Sequence, residues 1–154
     1  MALIGVVLGS KTDTELIQPA LDMMKKLGID YQLSIISAHR NPEKVREYGL
    51  KAVERGIEVI IAAAGMSAHL PGVLSSWTML PVIGVPLPTS ELKGLDALFS
   101  ISQMPAGVPV ACMGIGTSGA KNAALFAAQI LGTKYDEIRQ AYRVYREQLA
   151  GEQL

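Results

Sequence analysis

The sequence predicts an α/β fold: a three-layer sandwich with a parallel sheet, flavodoxin-like or Rossmann-like. Three observations predict it. Uninterrupted apolar runs at Leu3–Leu8, Val59–Ala64 and Val82–Val85 read as strands buried on both faces. Segments with apolar residues at helical spacing separate them. Turns rich in small and polar residues follow the first three strands, where open α/β sheets bind ligands.

The elements follow in order. Leu3–Leu8 is the first strand. Leu16, Ile17, Ala20, Leu21, Met24 and Leu27 then recur at helical spacing, and Gly28 stops that helix. Tyr31–Ile36 is the second strand. Asn41 caps the next helix, with Pro42 in its first position; it runs to about Arg55 with Val45, Tyr48 and Ala52 inward. Val59–Ala64 is the third strand, and the turn Gly65–Gly72 opens a short helix through Trp77. Val82–Val85 and Val110–Met113 are strands, with a helix at Gly94–Gln103 between them. Ala120–Leu131 is an alanine-rich helix. A last helix, about 135–149, carries Ile138, Ala141, Tyr142, Tyr145 and Leu149 on one stripe. Its terminal position and apolar stripe predict packing on neighbouring subunits. No linker or repeat divides residues 1–154, so one domain is expected.

Fourteen basic and fourteen acidic residues cancel, and aromatics are only 5% of the chain. Such a chain lacks the basic footprint and the stacking residues of a nucleic-acid binder. The single cysteine, Cys112, excludes an intrachain disulfide and a multi-cysteine metal site, and reads as a buried apolar residue. With only His39 and His69 besides, no metal is expected. No run of about 20 apolar residues is present and no cleavage pattern follows the apolar start, so the expectation is a cytoplasmic protein with no membrane partner.

Charge is unevenly spread. From Val59 to Lys121 only Glu91, Lys93, Asp96 and Lys121 are charged. A small monomer has too much surface to hide so long an uncharged stretch, which predicts a homo-oligomer with apolar contacts.

Three turns carry the candidate chemistry. Gly9-Ser10-Lys11-Thr12-Asp13 offers backbone N–H groups and a hydroxyl to an anion, and Asp13 is an acceptor for sugar hydroxyls; equally, Asp13 or Thr12 is simply a helix cap. Ser37-Ala38-His39-Arg40 places a guanidinium fork suited to phosphate beside an imidazole suited to proton transfer. Ala64–Gly72 has few bulky polar side chains, which lets a ligand approach backbone; in it His69 either orients substrate or caps the next helix. A fourth glycine cluster, Gly114-Ile115-Gly116-Thr117-Ser118-Gly119, matches G-x-G-x-x-G. It comes late in the chain and has no acidic ribose partner in place, so close backbone packing is the better reading.

Six short segments in fixed order resemble the class I N5-carboxyaminoimidazole ribonucleotide mutases of purine (IMP) biosynthesis. They are Gly9–Asp13, Ser37–Arg40, Ala68–Gly72, Pro81–Pro86, Gln103–Val110 and Asn122–Ala124. The resemblance implies an isomerase of flavodoxin-like fold that moves a carboxyl group from the exocyclic nitrogen of aminoimidazole ribonucleotide to its ring carbon. It implies a ribonucleotide substrate, trapped carbon dioxide, no cofactor and a homo-octamer. It assigns His39 as the catalytic acid–base group. Ser10, Asp13, Ser37, Ala38, Arg40, Gly65, His69 and Leu70 are implied as substrate-binding. The related carboxylase branch carries lysine at the Arg40 position. Ala63, Met66 and Ser67 depart from the small residues usual in the third loop. Direct carboxylation of aminoimidazole ribonucleotide, and a non-catalytic nucleotide-binding module, are the alternatives.

Overall fold

Five parallel strands form one sheet in the order β2-β1-β3-β4-β5. They are β1 (Ile4–Leu8), β2 (Tyr31–Ile35), β3 (Val59–Gly65), β4 (Val82–Leu87) and β5 (Ala111–Cys112). The computed structural model describes residues 2–151; the expected domain, 1–154, overruns it by Met1 and 152–154. The helices are α1 (Thr14–Lys26), α2 (Pro42–Lys51), α3 (Leu70–Trp77), α4 (Leu95–Ser102), α5 (Gly116–Leu131) and α6 (Asp136–Gly151). This strand order is the doubly wound, flavodoxin-like one, and its direction of winding reverses beside β1 and β3.

Alternation along the strands builds a core on each face. Val6, Leu8, Ile61 and Ala63 meet Ile17, Ala20 and Met24 of α1 and the alanines of α5. Val7, Ile60, Ala62 and Ala64 meet Tyr48 of α2, Leu74 of α3 and Ile101 of α4. Gly5 on β1 is a packing requirement: a Cβ there would lie 2.3 Å from the Tyr48 hydroxyl. Gly28, at φ 69°, ends α1 in the left-handed region, as its position predicts.

Several boundaries differ from the sequence reading. The fifth strand shrinks from Val110–Met113 to Ala111–Cys112, because this edge pairs with β4 only at Ile83 and Gly84. Cys112 on it is half-buried, and burial pushes its thiol pKa up. The fourth strand runs on to Leu87, through Pro86. The short helix starts at Leu70, inside the expected turn. The alanine-rich helix starts at Gly116, not Ala120, so the late glycine cluster is partly helical. Gly119 there packs against Gly114, whose carbonyl oxygen would be 1.6 Å from an added Cβ. Asn41 occupies the cap position of α2 without a side-chain cap bond, while Pro42 sits at the start as expected. The last helix docks on its own chain, burying Ile138 and Tyr145 in the core shared with α5; Val144 and Leu149 stay exposed. Among the described residues no helix is long and apolar enough to cross a membrane.

Candidate active site

The three candidate turns leave the carboxyl ends of β1, β2 and β3, which are adjacent in the sheet. Backbone bonds fasten them: Ile36 N–H donates to Leu8 O at 2.8 Å, and Gly9 N–H donates to Ala63 O at 3.2 Å.

The first turn folds as a capping box. Ser10 N–H donates to Asp13 Oδ2 at 3.1 Å, while Ser10 Oγ accepts from Thr12 N–H and Thr12 Oγ1. Ser10 is thus the cap and Asp13 its reciprocal partner three residues on; at the start of α1 itself Asp13 makes no side-chain cap bond, and it is buried. Burial pushes its carboxyl pKa up; the hydrogen bonds from Ser10 and Thr12 oppose that. In the second turn Ser37 Oγ accepts the Arg40 N–H at 3.3 Å, and Asn41 N–H returns to Ser37 O. Ala38 is half-buried beneath this turn, and His39 and Arg40 are exposed. Among the described residues the Arg40 guanidinium has no carboxylate partner, which leaves its fork open to an anion.

The third loop brings the two histidines together. His39 Nε2 lies 2.6 Å from His69 Nδ1, with the rings edge to face at 89° and their centroids 4.8 Å apart. One nitrogen donates and the other accepts, so a proton sits between the rings. His69 occupies the cap position of α3 but makes no side-chain cap bond. Leu70 buries its side chain and offers a ligand only backbone in the first turn of α3.

The loop backbone is unusual. Met66 and Ala68 have φ of 54° and 38°, a region costing a side-chain-bearing residue about 1–2 kcal/mol. Gly65 admits no substituent: an added Cβ would lie 1.7 Å from Thr89 Oγ1. Ser100 Oγ of α4 donates to the Ser67 carbonyl. Sequence reading passes over Thr89 and Ser100, since a small hydroxyl in an apolar stretch gives no signal of its own.

The first-turn residues Ser10 and Asp13 share the sheet edge with the histidines, but no described hydrogen bond joins them. Among the described residues no group of three or more His, Cys, Asp and Glu side chains is gathered to hold a metal ion. A groove of about 1010 Å³ lies elsewhere, at the amino ends of β4 and β5, lined by Leu50, Trp77, Met79 and Phe126.

The family model described as AIR carboxylase matches residues 3–152. The chain belongs to the AIR carboxylase family. It is 52% identical to the N5-carboxyaminoimidazole ribonucleotide mutase of Thermotoga maritima, over all of this chain and 89% of that one. The mutase of Pseudomonas aeruginosa is 51% identical, over 94% of this chain and 89% of that protein. The crystal structure of Treponema denticola PurE superposes with a TM-score of 0.87 at 30% identity, covering 99% of this chain and 94% of that one. This member of the AIR carboxylase family thus shares its fold with Treponema denticola PurE and aligns over most of their length with relatives carrying the mutase name.

Proposed function

We propose that this protein is an isomerase of purine biosynthesis that converts N5-carboxyaminoimidazole ribonucleotide to 4-carboxy-5-aminoimidazole ribonucleotide. The observation that carries this reading is the His39–His69 pair at the sheet's switch point, beside Arg40, whose guanidinium has no carboxylate partner among the described residues. Identity near 50% over nearly the whole chain to relatives named as the mutase supports it over the alternatives.

Chemistry follows from those groups. Arg40 and the Ser10 turn grip the phosphate, and Asp13 faces the ribose from the capping box. Ser37, Ala38, Gly65 and Leu70 contribute backbone and small surfaces that bring the ring close. His39 gives a proton to the carbamate nitrogen, the C–N bond breaks, and carbon dioxide is released inside the site. The ring carbon C4 attacks the trapped gas, and His39 takes the C4 proton. One proton is given and one recovered, so the cycle needs no outside acid or base. The bridge to His69 fixes the plane of the His39 ring while the phosphate grip orients the substrate.

The working form is a homo-oligomer, an octamer in this reading. Its contacts draw on exposed apolar residues such as Met79, Leu95 and Phe99, and on the outer face of α6.

The test is His39→Asn. It is expected to bind the ribonucleotide with near-normal affinity yet to lose at least about a hundredfold in turnover. Turnover within a few fold of wild type removes His39 from the reaction. Supplying bicarbonate instead of the carbamate separates the direct carboxylase: product formed equally fast from bicarbonate supports that second reading, which the family's own description makes relevant.

A further inference from the structure

The loop Gly65–His69 leaves a buried strand and enters a helix, with Ala68 N–H to Gly65 O as its internal backbone bond. Met66 and Ala68 both hold left-handed conformations that their side chains disfavour. Ser67 lies between them. Its carbonyl is held from outside the loop by the Ser100 hydroxyl, which projects from α4, 33 residues further along the chain. Two residues beyond Ser67, His69 meets His39.

We propose that Ser100 is a positioning residue: its hydrogen bond to the Ser67 carbonyl maintains the left-handed apex and so keeps His69 in register with His39. This rests on the reading of His39 as the acid–base group. Strain at Met66 and Ala68 gives the loop a reason to relax, and the Ser100 hydroxyl opposes it at the residue between them. Without that hydroxyl the apex turns toward ordinary backbone angles and carries the His69 ring off its partner. Arg40, Ser10 and Asp13 hang on other turns, so the phosphate and ribose grip is untouched. Gly65 and Leu70 flank the apex, so loss of the tie falls on turnover more than on binding.

The experiment compares Ser100→Ala and Ser100→Thr in the full chain. Alanine favours helix more than serine does, so α4 persists in the first variant. A crystal structure of Ser100→Ala reads the separation of His39 Nε2 and His69 Nδ1 whatever the enzyme turns over. The expected result is a separation beyond about 3.5 Å, outside hydrogen-bond reach. The kcat is expected to fall about tenfold with KM changed less than about twofold, and Ser100→Thr to restore both pairing and kcat. Imidazoles still paired in Ser100→Ala overturn the positioning role. Parted imidazoles with undiminished kcat support that role and overturn the part given to the His69 bridge in turnover, whereas the acid–base reading of His39 stands or falls with His39→Asn.

Discussion

Gly65 shows how closely the tails of β3 and β4 approach. The space a Cβ would need is filled by Thr89 Oγ1 at 1.7 Å, with Thr89 Cβ at 3.0 Å and the Leu87 carbonyl oxygen at 3.2 Å behind it. Gly65→Ala is therefore expected to destabilise the fold by about 1–3 kcal/mol, the usual penalty for overpacking. Thermal denaturation measures this, and turnover should fall with it because the same loop carries His69. Adding Thr89→Ala removes the nearest atom but leaves Cβ in place, so the double variant should recover part of the loss. A Gly65→Ala protein as stable as wild type would show that the two tails can part freely. At this scale the sequence exposed the candidate groups more readily than their relations. His39, Arg40 and His69 stand out as the ionisable side chains of their two loops. That the two histidines touch was hidden, because they are 30 residues apart and meet only through the pairing of β1 with both β2 and β3.

Elements were legible where burial was complete. β1, β3 and β4 are buried almost throughout, and their unbroken apolar runs announced them. The edges were harder. On β2, Leu33 and Ile35 are apolar yet 38% and 43% exposed, and β5 is half-exposed, so hydrophobicity there did not mark depth. The start of α5 was obscured by glycines that read as loop but serve close packing. One polar tie between elements allows a pH prediction. Glu58, just before β3, accepts from Lys134 Nζ at 2.6 Å and Tyr135 Oη at 2.5 Å, at the junction of α5 and α6. The Lys134 hydrogen bond, then that of Tyr135, holds the Glu58 carboxyl below its ordinary pKa of 4.5. Lys134 is raised to about 12, first by its bond to Glu58. The carboxylate contribution is thus present above pH 4.5 and lost as pH falls through its depressed value. The ammonium contribution is present below pH 10.5 and lost as pH rises through about 12. Glu58→Gln should lower the melting temperature modestly at neutral pH, because Lys134 is solvent-exposed and Glu58 only partly buried. The gap from wild type should close in acid. A gap of constant size down the acid limb would contradict this account.

For the whole molecule, the balance of surfaces matters most. The chain is formally neutral, yet Leu92, Leu95 and Phe99 are 60%, 51% and 61% exposed around α4, and Met79 is 99% exposed. Such a concentration of bare apolar side chains on a chain without net charge favours association. Leu95→Asp tests this with little cost to the protomer, because an acidic residue in the first turn of a helix suits the helix dipole. The variant should keep its circular dichroism but show a lower mass by light scattering. An unchanged mass would take α4 out of the contacts between copies.

The two rungs joining β5 to β4 also have a bearing on noise in the candidate active site. So short a border is where the sheet frays first under thermal agitation. The imidazole pair hangs from β2 and β3, with β1 between them and β4 separating β3 from that border. Breathing at the loose margin is thus damped by intervening strands before it can blur a donor–acceptor distance set to tenths of an ångström.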